Sequence, residues 1–401
     1  MTTAAWRVVL VVLVLSAAQQ ARADGCFVKR TEVGQSKSLV SSPKQEAILA
    51  TDGWTVQVIL RTHFNAGPKE LCWIIPVPAV PEDVGKADDA IFDKLEALTV
   101  PTFTKVDLAP QGDSGGFGCG VKANHLERSA WETPMAVQVE KAGSAGIFDF
   151  QVVSAKRAED LLQWLQAHNY SPPEGAAKAF EPYVASGWHW LTVRVRAEEA
   201  DRPTLAPHPI TYRYKSLQLV FPLIISSLSA AEETEVVLHV VADEYFIPSR
   251  WARCTSQDLA FREEGWALAE QKGLPSGTNY EELLRRKTRE LSGRLLVTEF
   301  AQRWQLFGSS ASMGRRFDDV LDSKLVESIG ALQTVTRLRA LVRREQMDQD
   351  IELGSYRSGR PEDNHIQFRA PPPPAASAGA PVKAGGTLRS VGILSACAAG
   401  G

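Results

Sequence analysis

Residues Leu71-Cys72-Trp73-Ile74-Ile75-Pro76-Val77 form an almost unbroken apolar run, and nothing else in the chain restricts the fold as strongly. A strand that is apolar at both odd and even positions has no face to give to water, so it must be central and covered on both sides. Pro76 and Pro78 mark its end, because proline removes ladder donors. The protein must therefore be layered, with this strand inside a sheet.

The flanking sequence agrees. Glu46 to Thr51 and Trp54 to Phe64 read as a β-hairpin closed by Asp52-Gly53, a strong two-residue turn signal. Ala136 to Lys141, Ile147 to Ser154, Trp188 to Arg196, Leu217 to Leu223 and Thr234 to Ala242 read as further strands. Helices are expected after Asp88-Asp89, with Ile91, Phe92, Leu95 and Leu98 on one face. A second runs from Ser154 to His168, and a third over Ala176 to Ala185, with Pro182 as a potential break. Glu281 and Glu282 ahead of Arg285 and Arg286 give a solvated helix face. Val335, Leu338, Leu341 and Val342 suggest another helix over Leu332 to Gln346. The expected class is α+β, with largely antiparallel sheets, interspersed helices and a helical C-terminal section.

This divides the chain into an α+β body at 24–250, with β-rich sections near 24–100 and 135–250, and a mainly helical section at 251–354 packed on it. A disordered tail at 355–401 follows from the Pro371 to Pro374 run and the Ala/Gly/Ser residues after it, which offer little apolar surface for a core. Residues 1–23 read as a signal peptide: Arg7, an apolar core over Val8 to Ala18, and Ala21-Arg22-Ala23 as the cleavage site. The expected product is an exported protein, periplasmic or extracellular, with no transmembrane span in its mature chain. Asp24 and Arg22 argue against lipid attachment at Cys26.

Reactive constellations are scarce. The net charge of −3 excludes a strongly basic nucleic-acid binder. Seven histidines are scattered without metal-ligand spacing. Gly112 to Gly120 holds Asp113-Ser114-Gly115-Gly116, but no partner motif of a serine protease accompanies it. No catalytic, cofactor-binding or metal-binding residue is assigned, and the chain leans away from being an enzyme. Five cysteines allow at most two bridges in an oxidising compartment, and glycine-flanked Cys26 and Cys119 are the preferred pair, with Cys254 able to replace either. The candidate functional surface combines the strand end at Trp73, Pro76 and Pro78 with Phe117 in the glycine-rich loop, since loops on rigid scaffolds carry recognition. The expected role is a binding or structural module of the cell envelope, its partner an envelope protein or a glycan. The alternative is a hydrolase using Cys119 or a cross-strand histidine pair, such as one formed by His189 or His239.

Several segments look familiar together. They are Gly25-Cys26-Phe27-Val28, Trp73-Ile74-Ile75-Pro76-Val77-Pro78, Ala90-Ile91-Phe92-Asp93-Lys94-Leu95 and Leu161-Leu162-Gln163-Trp164-Leu165. Tyr183 to Trp188, Thr298 to Ala301 and Val335 to Arg339 belong to the same set. In these the chain resembles the exported bacterial family catalogued as domain of unknown function 2330. The resemblance implies export and one composite architecture over about residues 24–353, and implies no activity. The chain departs from the family habit at Cys72, where an aromatic or aliphatic residue is expected, and in having one cysteine in the first motif.

Overall fold

The computed structural model describes residues 25–30, 42–61, 71–105, 137–196, 208–262, 279–303, 334–357 and 361–368. Two antiparallel-dominated sheets carry it. The first has six strands in the order β7 (Val137–Ala145), β8 (Phe148–Ala155), β10 (His189–Val195), β4 (Leu71–Val77), β1 (Cys26–Arg30) and β9 (Tyr170–Ser171). The second has eight: β15 (Ala252–Thr255), β16 (Leu295–Arg303), β17 (Thr334–Arg343), β13 (Ala230–Ala242), β2 (Ser42–Thr51), β3 (Thr55–Arg61), β11 (Ile210–Lys215) and β5 (Asp83–Lys86). A three-stranded sheet, β12 (Leu219–Phe221), β18 (Ile351–Ser355) and β14 (Phe246–Pro248), and a pair, β6 (Thr102–Lys105) with β19 (His365–Phe368), complete the set.

The large sheets pack face to face. Phe27, Trp73, Ile75, Phe150 and Leu191 from the first meet Leu49, Val58, Tyr212, Leu238 and Leu338 from the second in one buried cluster. Strand β4 sits where its composition requires, between β1 and β10, with all seven residues buried. Trp73 stacks on Phe27, with ring centroids 5.6 Å apart and planes at 19°. The backbone enters this layer at Gly25, whose φ is +84°. A Cβ there would lie 2.6 Å from the Ile74 carbonyl oxygen and 2.8 Å from Trp73 Nε1, so only glycine fits.

Helices cover the outer faces. α2 (Ala158–Ala167) and α3 (Ala176–Ala185) pack Leu161, Leu165, Phe180 and Tyr183 on the six-stranded sheet against Cys26, Ile74 and Trp190. α3 runs on through Pro182. α1 (Ala90–Thr99) packs Phe92 and Leu95 on one half of the eight-stranded sheet, against Ile48, Ile59 and Phe300. α4 (Ser256–Arg262) and α5 (Tyr280–Glu290) cover the other half through Leu259, Leu283 and Leu284.

The expected α+β class is therefore corrected to a mainly β sandwich. Nineteen strands stand against five α-helices among the described residues, and the helices form outer covers, not part of the interior. The expected helical C-terminal section is overturned too, since β15, β16 and β17 are consecutive strands of the large sheet. Leu332 to Gln346 read as a helix because its outward strand face carries Arg337 and Arg339, which hide the period-two pattern of Leu338, Ala340 and Val342. Ordered structure also extends past Ser355. Glu362 exchanges two backbone hydrogen bonds with Ala301, at 2.8 and 2.7 Å. Asn364 Nδ2 donates to the carbonyls of Leu98 and Val100, at 3.0 and 2.9 Å, and β19 then pairs in parallel with β6.

Asn364 thus ties the end of α1 to the C-terminal segment. Asn364→Ala leaves one buried and one partly buried carbonyl without this donor and should cost about 1–3 kcal/mol in urea unfolding. A chain ending at Gly354 loses β19 as well, and should melt well below the full-length protein. Equal melting temperatures for the two would show that residues 361–368 contribute nothing to the fold.

Candidate functional site

Two polar constellations lie on the sheets, and they differ in what they can do. The first occupies the outer face of the eight-stranded sheet, between α1 and α5. Glu46 faces Arg61 across β2 and β3, with Arg61 Nε donating to Glu46 Oε2 at 2.8 Å and Lys44 Nζ lying 2.6 Å from Oε1. Arg61 also reaches Asp93 on α1 at 2.6 Å. Further along, Arg337 Nε donates to Glu299 Oε2 at 2.7 Å, and the Tyr280 hydroxyl donates to Glu299 Oε1 at 2.9 Å. Arg339 Nε donates to Glu235 at 2.6 Å, and Arg339 pairs as well with Glu281. Glu299 reaches this face through a β-bulge, because Thr298 pairs with Leu338 while Phe300 pairs with Arg337.

Between the two groups stands His239, fully enclosed. Its Nε2 lies 3.1 Å from the Thr99 hydroxyl and 3.3 Å from Arg337 Nη1, and its Nδ1 has no hydrogen-bond partner. Burial, then Arg337, holds its pKa well below the usual value. Burial would raise the Glu46 carboxyl, but Arg61 and Lys44 overcome that and bring it down to about 2. The array is closed and its carboxylates are engaged by cations. It holds the sheet to its cover and leaves no open position for a reacting molecule.

The second constellation is open. On the outer face of the six-stranded sheet, Asp149 of β8, Arg194 of β10 and Cys72 of β4 stand directly opposite one another in register. Arg30 of β1 faces Tyr170 of β9 one step along. α2 and α3 stop short of this end of the sheet, and a cleft of about 220 Å³ remains. Trp164 and His168, from the last turn of α2 and its cap, form the wall, their rings 4.1 Å apart. Arg194 Nη2 lies 3.6 Å from Asp149, which also accepts from Ser144 Oγ at 2.8 Å. The Cys72 thiol in the floor is only 3% exposed; burial pushes it up to about 12, with Arg194 opposing. A thiol so protonated is no nucleophile at neutral pH. The cleft can bind and orient, and it has no activated nucleophile among the described residues.

The residues singled out from sequence fall elsewhere. Trp73 is 3% exposed and Pro76 is buried; both belong to the interior, because β4 is flanked on both edges and covered on both faces. Pro78 is half-buried just past the strand end. Phe117 and Cys119, with the glycine-rich loop, lie outside the described residues, as do residues 1–24. Cys119, and with it the expected Cys26–Cys119 bridge, lies outside the described residues; Cys26 is a fully buried free thiol beneath α3, diagonal to Cys72 across β1 and β4. His189 and His239 are in different sheets, so they form no cross-strand pair. No group of three or more metal-ligating side chains converges among the described residues, and no described helix is long and apolar enough to cross a membrane. Sequence reading missed the cleft. The available signal was Arg194 and Arg196 on the face of an otherwise apolar strand.

Two outcomes are expected. Glu299→Ala strands the nearly inaccessible guanidinium of Arg337 and should cost about 3–5 kcal/mol in denaturant unfolding. Cys26 and Cys72 should resist iodoacetamide in the native protein at mildly alkaline pH and alkylate together once it is unfolded. Recovery of a Cys26–Cys119 linked peptide under non-reducing conditions would contradict the second.

Comparison with known proteins adds little chemistry. The crystal structure of baculovirus P35 aligns with 53% of this chain and 67% of its own, at 14% identity and a TM-score of 0.26. No curated protein matches the chain. The model of a family described as an uncharacterised protein conserved in bacteria matches residues 21–289. With most of its length so matched, and with Gly25-Cys26-Phe27-Val28 and the Trp73 to Pro78 strand end inside the match, the chain belongs to the DUF2330 family.

Proposed function

We propose that this protein is an exported recognition module of the bacterial envelope that takes a small ligand in the cleft at the open end of its six-stranded sheet. One observation carries the reading. Asp149, Arg194 and Cys72 form a polar row across three adjacent strands of a sheet whose remaining outer face is packed under helices. A fold that covers the rest of a face and leaves charged groups at one end has a built recess, and recesses with a few convergent polar groups are where ligands bind. Export is supported by the apolar core over Val8 to Ala18 and by Ala21-Arg22-Ala23.

Both halves of the proposal are testable. Expressed with its leader in a bacterial host, the protein should be recovered outside the cytoplasm with Asp24 at its N-terminus. A thermal-shift screen of small envelope-derived solutes should give stabilising compounds whose effect disappears in Arg194→Glu, while that variant alone still unfolds cooperatively, at a slightly lower temperature because Glu would face Asp149. Retention of residues 1–23, or stabilisation that persists in Arg194→Glu, would overturn the corresponding half.

A further inference from the structure

We infer that the cleft recognises an acidic sugar: a pyranose ring bearing a carboxylate, of the uronic acid class. The inference rests on the cleft being the binding site and names what it takes. Charge sets the first condition. Arg30 and Arg194 contribute two positive charges and Asp149 one negative, so the cleft keeps a positive excess. Arg194 is the group shared with Asp149, at 3.6 Å, and Arg30 has no ion-pair partner among the described residues. A guanidinium with free N–H groups matches a carboxylate through two parallel hydrogen bonds, and such charge-assisted pairs are stronger than neutral ones.

Shape sets the second condition. The volume of about 220 Å³ is below the range usual for drug-sized ligands, so one ring with its substituents is the natural occupant. The Trp164 indole, half-buried and tilted 35° to the His168 ring 4.1 Å away, offers an apolar wall at the cleft's side. A bare inorganic anion would satisfy the arginines and leave that wall unused.

The third condition comes from the floor. Gln151 and Thr192 face one another on β8 and β10, in the same register row system as Asp149 and Arg194. Asp149 accepts hydrogen bonds and Gln151 can both donate and accept, which suits vicinal hydroxyls. An aromatic acid would fit the wall and the arginines but would leave Asp149 and Gln151 facing a ring with no polar group. Only a ring with both hydroxyls and an acid uses all three features.

The test is titration of the full mature protein, by chemical-shift perturbation, with glucuronate, glucose, benzoate and inorganic phosphate. Glucuronate should bind at least about tenfold more tightly than each of the other three, which is about 1.4 kcal/mol of discrimination. Arg30→Gln should remove most of the preference over glucose, and Trp164→Ala most of the preference over phosphate. Both side chains are partly exposed, and unchanged thermal melts would establish that the variants are folded. Equal binding of glucose or benzoate, or no glucuronate binding, would overturn the acidic-sugar assignment. If solutes from the thermal screen still lost their effect in Arg194→Glu, the cleft itself would stand as the site. Glucuronate shifts mapping away from β1, β8 and β10 would overturn the placement of the sugar in this cleft.

Discussion

The ion array on the outer face of the eight-stranded sheet is the interaction on which the rest of the architecture depends. Lys44, Glu46, Arg61, Glu299, Arg337 and Arg339 come from four strands and are nearly inaccessible. Charges removed from water are tolerable only if every one is paired and hydrogen-bonded, and an unpaired survivor is costly. That requirement acts on geometry. It sets the register of β2 against β3 through Glu46 and Arg61, and it needs the bulge that turns Glu299 toward Arg337. It also needs α1, which brings Asp93, and α5, which brings Tyr280 and Glu281. Apolar packing alone would accept several registers; this array accepts one.

The two outer faces solve the same problem in opposite ways. On the eight-stranded sheet the polar band is sealed, with apolar contacts under α1 on one flank and under α5 on the other. On the six-stranded sheet the helices α2 and α3 seal the apolar end, and the polar end stays open. Asp350 locks that helical cover to the three-stranded sheet. It accepts from the Tyr183 hydroxyl at 2.8 Å and from the backbone N–H groups of Leu223 and Ile224, at 2.8 and 2.9 Å. The wall of the cleft is thereby fixed to the body through α3 and its neighbour α2, so a ligand would meet a preformed site.

Much of the scaffold was legible in the sequence, and the reasons are local. The Asp52-Gly53 turn, the apolar run of β4 and the stripes of α1, α2 and α5 each carry their whole signal within a dozen residues. β17 was misread because Arg337 and Arg339 interrupt its alternation, and their partners Glu299 and Glu235 lie on other strands. β16 and β19 were missed for a similar reason: their identity is given by what they pair with. The cleft was invisible on the same grounds. Arg30, Cys72, Asp149 and Arg194 are far apart in the chain and become a row only through strand register. Trp73 and Pro76 drew attention as a distinctive motif, but the motif records how tightly β1, β4 and β10 are packed.

The place of β13 between β2 and β17 bears on how the chain can be made. β2 joins β13 in parallel, with Ala47 opposite Leu238, and β17 closes the other edge with Leu338 opposite the same residue. Both pairings are distant in sequence, so the middle of the sheet is assembled by slow, non-local steps. The family match ends at residue 289, whereas β17 begins at Thr334. A nascent chain that has not yet reached β17 presents β13, rich in valine, with one edge unpaired. Such edges template misassociation. Synthesis of β17 is thus the step that closes this edge.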